Sequence, residues 1–405
     1  MVSVVEHVIK RPQITKEERV TALELLGASL AVRKSNLFPE SQSLSLPFQF
    51  MKRGLEERFQ DPSHPLIKQT MKPVEAYQNR QESQTLEELA WIEGDFDALL
   101  MEGLVIRERI FGKDNVELLD PIRLVAQHHR GRQNFDIALG LHKHALEINK
   151  LCSQSVALDL NNLTQTFYTM VESNFRPRQK DVVGVLVEAV MEHGKQTVNY
   201  TKELEDEPQR LKEEKKKVLN SCLYSLLEFF QFFTKAEFSE EEGPASVSWL
   251  PLMLSRFSPR DDQGNTLLHL AVNYKTPHKY LPKFEFPCVK TFKVLLDAGI
   301  SVNAINNNGD TPLHRAVNFR PSGDKFHLLT DMLKVLLDAG AHHDFVNNNN
   351  GKTLTEMART DEARWILSER KTLELKCIAA RAVKKFGLPY KGLVPQTVEK
   401  YISMH

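Results

Sequence analysis

A repeated segment in the second half of the chain constrains the fold more than any other feature of the sequence. GNTLLHLAVN at 264–273 recurs as GDTPLHRAVN at 309–318, and a weaker copy, GKTLTEMA, occupies 351–358. The segment KVLLDAG also occurs twice, at 293–299 and at 334–340. Self-similarity at a regular spacing is the signature of repeat proteins in which neighbouring units bury a shared core. The second half is therefore predicted to be a stack of repeats.

These repeats have the pattern of ankyrin units. The glycine permits a turn, the threonine caps the first helix, the histidine ties the turn by hydrogen bonds, and the leucines enter the shared core. An ankyrin unit has about 33 residues, and both intervals here are longer, so we expect long inter-helix loops at 274–287 and 319–327. We predict two clear ankyrin repeats and one weak repeat, with insertions, within 263–368.

The first half of the chain is also predicted to be helical. TALELLGASLA at 21–31 places apolar residues on one side of a helix and small residues where helices can approach closely. Between 122 and 148, His129 and His142 stand where a tetratricopeptide repeat normally has large packing residues. The small and aromatic positions of that repeat are otherwise matched, by Ala126, Phe135, Ala138 and Ala145.

Together these patterns predict an all-α protein with the architecture of a helical repeat solenoid. The boundaries follow from the repeats and from a segment rich in serine, proline and acidic residues that precedes the first ankyrin glycine. The predicted order is a tetratricopeptide-like array at 15–235, a connector at 236–262, the ankyrin repeats at 263–368 and a helical tail at 369–405.

Charge and hydropathy argue against several classes of protein. Lysine plus arginine and aspartate plus glutamate both number 53, so the net charge is zero and no bulk attraction to nucleic acid or to an anionic membrane is implied. The most apolar stretch, 226–233, is far shorter than the roughly 18 apolar residues of a membrane span. The first residues lack the basic segment and continuous apolar core of a signal peptide, so none is expected. We expect a cytoplasmic or nuclear protein without nucleic-acid or membrane partners.

Sequence motifs for catalysis or metal binding are missing. Gly351-Lys352-Thr353 looks like part of a phosphate-binding loop, but Val346 stands where that loop needs glycine, and the repeat register explains the segment. The neighbouring histidines, such as His342 and His343, and the four widely spaced cysteines lack metal-ligand spacing. We therefore predict no catalytic, metal or cofactor site, and no enzyme.

The tail contains two amphipathic segments. Residues 371–385 form a predicted helix that ends before Gly387, and 393–405 form a shorter one in which Pro395 can occupy the first turn. Such a tail can cover the end of the ankyrin stack or dock in the groove of another protein, and the pattern alone leaves both open. The apolar face of the first segment consists of Leu375, Ile378, Ala379, Ala382 and Val383.

Several longer motifs resemble those of the fem-1 homologues, which are substrate receptors of cullin-2 ubiquitin ligases. The motifs are ELLGAS, LEERFQD, MEGLVIRERIFG at 101–112, TLLHLAVN, LKCIAARAV at 375–383 and the VPQTV ending. They are distributed over nearly the whole chain, and the two longest are less generic than a repeat consensus. The family begins with a long ankyrin array that reads the carboxy-terminal residues of degradation targets. ELLGAS starts here at Glu24, so that array is expected to be absent from this chain.

The resemblance implies that the tail is a von Hippel-Lindau-type box. Its first helix would bind elongin C, in complex with elongin B, and the following segment would select cullin-2. Leu375 would be the main anchor, and the box usually has a cysteine where Ala379 stands. By position, the elongin C contacts would be Leu375, Cys377, Ile378, Ala379, Ala382 and Val383, and the cullin-2-selecting residues would be Val394, Pro395 and Val398.

The implied function is a non-catalytic substrate-recognition subunit that recruits target proteins for ubiquitination. One alternative is a ligase-independent scaffold whose tail only caps the ankyrin stack. Another is a competitor that occupies elongin C without delivering a target. A third is an enzyme hidden in the first half of the chain, which would require a pocket with convergent polar groups near 101–112.

Overall fold

The computed structural model describes residues 2–33, 45–61, 63–202, 208–235, 254, 258–276, 286–321, 325–347, 349, 351–369 and 375–404. In this part of the chain the regular structure is helical and includes no strand, so the predicted all-α class is confirmed. None of the described helices combines the length and apolar composition needed to cross a bilayer. The chain forms two compact units, residues 1–175 and 176–405.

The first unit is built from helices joined by turns and short 3-10 segments. Helix α2 begins with a capping box in which the Thr15 side chain accepts a hydrogen bond from the Glu18 backbone and the Glu18 carboxylate accepts one from Thr15. The helices are α1 Val2–Val8, α2 Lys16–Ala31, α3 Ser45–Phe59, α4 Leu86–Ala90, α5 Phe96–Phe111, α6 Leu119–Gly131, α7 Phe135–Leu151 and α8 Ala157–Glu172.

Helices α2, α3 and α5 approach one another closely at Gly27 and at Gly103. A Cβ atom added to Gly27 would lie 2.7 Å from Cγ of Met51 and 2.9 Å from the carbonyl oxygen of Pro47. One added to Gly103 would lie 3.1 Å from the carbonyl oxygen of Ala28. Gly27 belongs to the ELLGAS motif and Gly103 to MEGLVIRERIFG, so both motifs are places where two helix backbones nearly touch.

Helices α6 and α7 form the helical hairpin predicted from the tetratricopeptide-like pattern. The two helices pack against each other across a short turn. His129 and His142, the two departures from the repeat consensus, are also buried, at 1% and 0% exposure. The hairpin interior further includes Ala126, Phe135, Ala138 and Ala145, all of which are buried.

The second unit begins with two long helices that lead into the ankyrin repeats. Helix α10 packs against both helices of the first repeat, and the two long helices, which the prediction assigned to the array at 15–235, belong to the same unit as the repeats. Most of the predicted connector 236–262 lies outside the described residues, as do 277–285 and 322–324 of the predicted loops. The helices are α9 Gln179–Lys202, α10 Gln209–Lys235, α11 Leu267–Ala271, α12 Val289–Asp297, α13 Pro312–Val317, α14 Phe326–Asp338, α15 Leu354–Met357, α16 Asp361–Glu369, α17 Leu375–Lys385 and α18 Gln396–Met404.

The ankyrin turns have the hydrogen bonds expected from their sequence. Nδ1 of His269 accepts from the backbone N–H of Thr266 at 3.2 Å, and Nε2 lies 2.9 Å from the carbonyl oxygen of Asp310 in the next repeat. Gly264 has φ +74°, and a Cβ there would lie 2.5 Å from Oδ1 of Asn307. Thr353 caps α15, so the phosphate-loop-like segment at 351–353 is a repeat turn, as predicted.

Candidate functional site

The tail helix α17 has one buried face and one exposed face. Cys377 and Ala380 are buried at 1% and 3% exposure, whereas Leu375 is 81% exposed. Residues two apart on a helix point in different directions, and those three or four apart share a face. The tail therefore contacts the rest of its unit with one side and leaves the other side accessible.

The buried face of α17 is attached to the turn that follows α14. Sγ of Cys377 lies 3.1 Å from Nδ1 of His342 and 3.2 Å from the hydroxyl oxygen of Tyr401 in α18. The imidazole of His342 stacks on the ring of Phe345, with centroids 4.5 Å apart. Nε of Arg381 lies 3.2 Å from a carboxylate oxygen of Asp344, which is buried. These contacts fix the orientation of the helix, and with it the direction of its exposed face.

The exposed face carries most of the residues predicted to bind elongin C. Leu375 and Ile378 are 81% and 49% exposed. Ala379 is exposed, and Ala382 and Val383 are partly exposed. The apolar surface continues to Phe386, which is 70% exposed. We refer to Leu375, Ile378, Ala379, Ala382, Val383 and Phe386 as the tail ridge.

Cys377 does not belong to the tail ridge, although the sequence analysis grouped it with the elongin-contacting residues. Its sulfur points towards His342 and Tyr401, and the side chain has almost no exposed surface. The physical reason is helical geometry, since two residues beyond Leu375 the chain has turned to the opposite side of the helix. A partner bound to the ridge would not touch this thiol.

The segment predicted to select cullin-2 lies at the beginning of α18. Pro395 is exposed, Val398 is 41% exposed and Val394 is partly exposed. Helix α18 packs against α17 and buries Ile402, one turn beyond Val398. The ridge and the Val394–Pro395–Val398 segment therefore belong to one packed pair of helices.

His342, Asp344 and Cys377 bring together three types of metal-ligand atom that the sequence spacing did not reveal. The ligand atoms lie within 4.8 Å of one another. Asp344 is already paired with Arg381, and the distance of 3.1 Å between the sulfur and the imidazole nitrogen is typical of a hydrogen bond. Sulfur and nitrogen ligands on one tetrahedral zinc ion are about 3.5 Å apart. The geometry thus favours a hydrogen-bonded attachment of the tail over a metal centre.

In the first unit, the motifs ELLGAS, LEERFQD and MEGLVIRERIFG supply charged side chains to a buried ion cluster. Glu24 accepts from Nε of Arg58 at 2.6 Å and from Nη2 of Arg109 at 2.6 Å. Glu82 contacts Arg109 and accepts from Nζ of Lys68, which is 2.7 Å away. Burial raises the pKa of Glu24, but the hydrogen bond from Arg58 and the charges of Lys68, Arg109 and Arg58 outweigh it, so the pKa lies below its ordinary value. Glu24, Arg58, Lys68, Glu82 and Arg109 form the buried ion cluster.

The cavity beside this cluster is small. It is lined in part by Tyr77, Arg80, Glu82 and Val105 and has a volume of about 20 Å³, which is room for about one water molecule. An active site in the first half of the chain would need polar groups that converge on a pocket near 101–112. The polar groups there do converge, but they bond to one another instead of surrounding space for a substrate. Their arrangement is that of a structural core.

Comparison with known proteins agrees with the repeat pattern and with the motifs. A profile of the ankyrin-repeat family, described as "Ankyrin repeats (many copies)", matches residues 282–337. Protein fem-1 homolog C of Xenopus laevis is 27% identical over 419 aligned residues, which cover all of this chain and 63% of the relative. Protein fem-1 homolog CG6966 of Drosophila melanogaster is 27% identical, covering 99% of this chain and 66% of the relative.

A third relative, protein fem-1 homolog A of Danio rerio, is 28% identical, with all of this chain and 63% of the relative covered. The resemblance to the fem-1 homologues is thus confirmed along the whole of this chain. The chain spans slightly less than two thirds of the length of these relatives. The fold and the relatives together indicate a helical repeat protein.

Proposed function

We propose that this relative of the fem-1 homologues is a non-catalytic substrate-recognition subunit of a cullin-2 RING ubiquitin ligase. In this proposal the tail ridge binds elongin C, which is paired with elongin B, and the Val394–Pro395–Val398 segment contacts cullin-2. Other surfaces of the repeats hold the target protein for ubiquitination and proteasomal degradation. The observation that carries the proposal is the exposed apolar face of α17.

An exposed ridge of this kind supports docking for a physical reason. Large side chains such as Leu375 and Phe386 are normally withdrawn from water in a folded protein, and an exposed apolar helix face marks an interaction site. The small residues Ala379 and Ala382 lie between them and let a partner's groove approach the helix closely. The buried contacts of Cys377 hold the ridge ready for binding, which lowers the entropy lost on association.

The proposed mechanism is proximity. Ubiquitin transfer is performed by the enzymes that the ligase recruits, and the receptor raises the effective concentration of a bound target beside them. No residue of this chain needs to take part in bond making. What the chain contributes is two binding surfaces held in one molecule.

The first prediction concerns Leu375. Replacing it with aspartate removes the apolar side chain expected to be the main anchor, worth about 1.5–3 kcal/mol, and places a charge in the interface. We expect the affinity for the elongin B–elongin C complex to fall by at least about 30-fold. Titration calorimetry with the purified full chain measures this loss.

A matched control is Leu158→Asp in α8, because Leu158 is also an exposed leucine on a helix, at 50% exposure. It should bind elongin C like the unaltered chain. If Leu375→Asp bound as tightly as the control, the docking proposal would be wrong. The tail would then be better explained as a cap on the ankyrin stack, which is the ligase-independent scaffold.

The second prediction separates the two parts of the tail. Val398→Asp alters α18 and leaves the ridge of α17 unchanged, so elongin C should still bind. Recruitment of cullin-2 to the preformed complex with elongins B and C should fall by about 10-fold or more, because an apolar contact is replaced by a charge. Biolayer interferometry with immobilised cullin-2 amino-terminal domain measures both steps. Equal recruitment by Val398→Asp and the unaltered chain would contradict the assignment of this segment.

A further inference from the structure

A positively charged cavity lies among the ankyrin repeats. Its volume is about 370 Å³, and four of its lining residues are the basic side chains of Lys275, Arg315, Arg320 and Arg359. Ligand pockets in proteins typically measure about 300–1,000 Å³. The cavity is therefore large enough to admit side chains of another molecule, unlike the cavity in the first unit.

The repeat architecture assembles this cavity. Asn273-Tyr274-Lys275 follows α11, and the chemically equivalent Asn318-Phe319-Arg320 follows α13, at the same position of the next repeat. The rings of Tyr274 and Phe319 lie 5.7 Å apart. Arg359 comes from the third repeat, and its backbone N–H donates to the carbonyl oxygen of Val317 at 3.1 Å. Three successive repeats thus each contribute a cation to one concave surface.

The charge of the cavity is only partly neutralised. Nε of Arg315 lies 3.1 Å from a carboxylate oxygen of Asp310. Within the described part of the chain, no carboxylate forms a salt bridge with Lys275, Arg320 or Arg359, and all three of these residues are exposed. Among the described residues, Nε of Arg359 donates only to the amide oxygen of Asn318, at 3.4 Å. The site keeps a positive excess in a chain whose net charge is zero.

We propose that this cavity binds an acidic segment of a partner protein through two or more aspartate or glutamate side chains. Guanidinium groups match carboxylates in geometry and can bind them in a bidentate manner. The exposed ring of Tyr274 supplies an apolar wall for the aliphatic part of such a segment. A concave site of this size suits a short extended peptide, whereas a nucleic-acid duplex needs a longer stripe of cations.

An acidic segment bound in this cavity is a ligand that the proposed function does not name, and its binding does not rest on that function. The cavity is lined by residues of the repeats and by none of the tail ridge. Leu375→Asp should therefore leave peptide binding intact, and substitutions in the cavity should leave elongin C binding intact. Failure of one proposal can be distinguished from failure of the other.

The experiment measures fluorescence anisotropy of two labelled peptides with the full chain at low salt. One peptide contains four glutamates in a glycine–serine background, and the other has glutamine at the same positions. We expect the glutamate peptide to bind at least about 10-fold more tightly, and its binding to weaken as sodium chloride is added. Equal binding of the two peptides would overturn the proposal.

The variant R320E/R359E should lose at least about 10-fold in affinity for the glutamate peptide, because two cations become anions. The matched control is K293E/K334E, which changes the net charge equally at exposed lysines that do not line the cavity. R320Q/R359Q repeats the test without adding negative charge. If both cavity variants bound the peptide like the control, or if a single-stranded oligonucleotide bound the cavity more tightly than the peptide, the assignment to an acidic protein segment would be rejected.

Discussion

Replacing Glu24 with alanine is expected to destabilise the first unit by about 3–5 kcal/mol. The side chain is 1% exposed, and its carboxylate contacts Arg58, Arg109 and Lys68. Without it, Lys68 and Arg109 keep the carboxylate of Glu82, whereas Arg58 loses the carboxylate it contacts. The cost arises mainly from the charges left behind, because a buried ion without a partner is much less stable than the same ion in water.

The measurement is urea unfolding followed by hydrogen exchange and mass spectrometry, which reports residues 1–175 separately from the rest of the chain. Glu17→Ala is the control, since Glu17 is exposed on the same helix α2. It should change the free energy of unfolding by less than about 0.5 kcal/mol. A Glu24→Ala chain as stable as this control would show that the cluster contributes little. Glu24→Gln removes only the charge, and its free energy of unfolding should lie between those of Glu24→Ala and Glu17→Ala.

The buried ion cluster also shows which part of the first unit the sequence could not predict. Glu24 and Arg109 are 85 positions apart, and nothing in either neighbourhood indicates that they meet. The motifs containing them could be recognised as specific, but not explained. Their pattern follows from long-range contacts, namely the close approach at Gly27 and Gly103 and the charges packed beside it.

The ankyrin repeats were predictable because their determinants are local. Thr266 and His269 are three residues apart, and one turn of backbone is enough to bring the capping hydrogen bonds together. The same register identified the turn at 351–353. The basic cavity was not predicted, because Lys275, Arg320 and Arg359 come from three repeats and become neighbours only when the repeats stack.

The tail lies between these two cases. Helical periodicity correctly predicted a helix with an apolar face, and Leu375 and Ile378 are exposed on it. Periodicity could not decide which face the rest of the chain covers. The covered face is determined by His342, which lies 35 positions before Cys377. Its contact with Cys377 holds the face opposite to the tail ridge against the repeats.

Acidification from pH 7.5 to pH 5.5 is expected to destabilise both units strongly. Burial lowers the pKa of His142 to about 3 and that of His129 to about 4 in the first unit. In the second unit burial lowers the pKa of His269 to about 3 and those of His193 and His314 to about 4. An unfolded histidine has a pKa of about 6.5. Below that pH the unfolded chain takes up protons that the folded chain does not, so the stability falls as the pH falls.

The expected size follows from the number of histidines in each unit. At pH 5.5 each histidine costs about 1.4 kcal/mol, which gives about 3 kcal/mol for the first unit and about 4 kcal/mol for the second. The carboxyl groups of Glu24 and Glu108 have lowered pKa values and do not titrate in this interval. Unfolding at a series of pH values, followed by hydrogen exchange in each unit, measures how steeply the free energy of unfolding of each unit changes with pH. Equal stability at pH 7.5 and 5.5 would mean that the imidazoles are not held neutral.

His142 provides the sharpest test, because it is fully buried and neither ring nitrogen has a hydrogen-bond partner among the described residues. His142→Leu should stabilise the first unit by about 1 kcal/mol at pH 7.5, since an unsatisfied polar group is removed. It should also reduce the acid-induced loss in that unit to about half, because only His129 remains to titrate. His327→Gln, at an exposed histidine, should retain the full pH dependence. A His142→Leu chain with an unchanged slope would place the titrating group elsewhere in the unit.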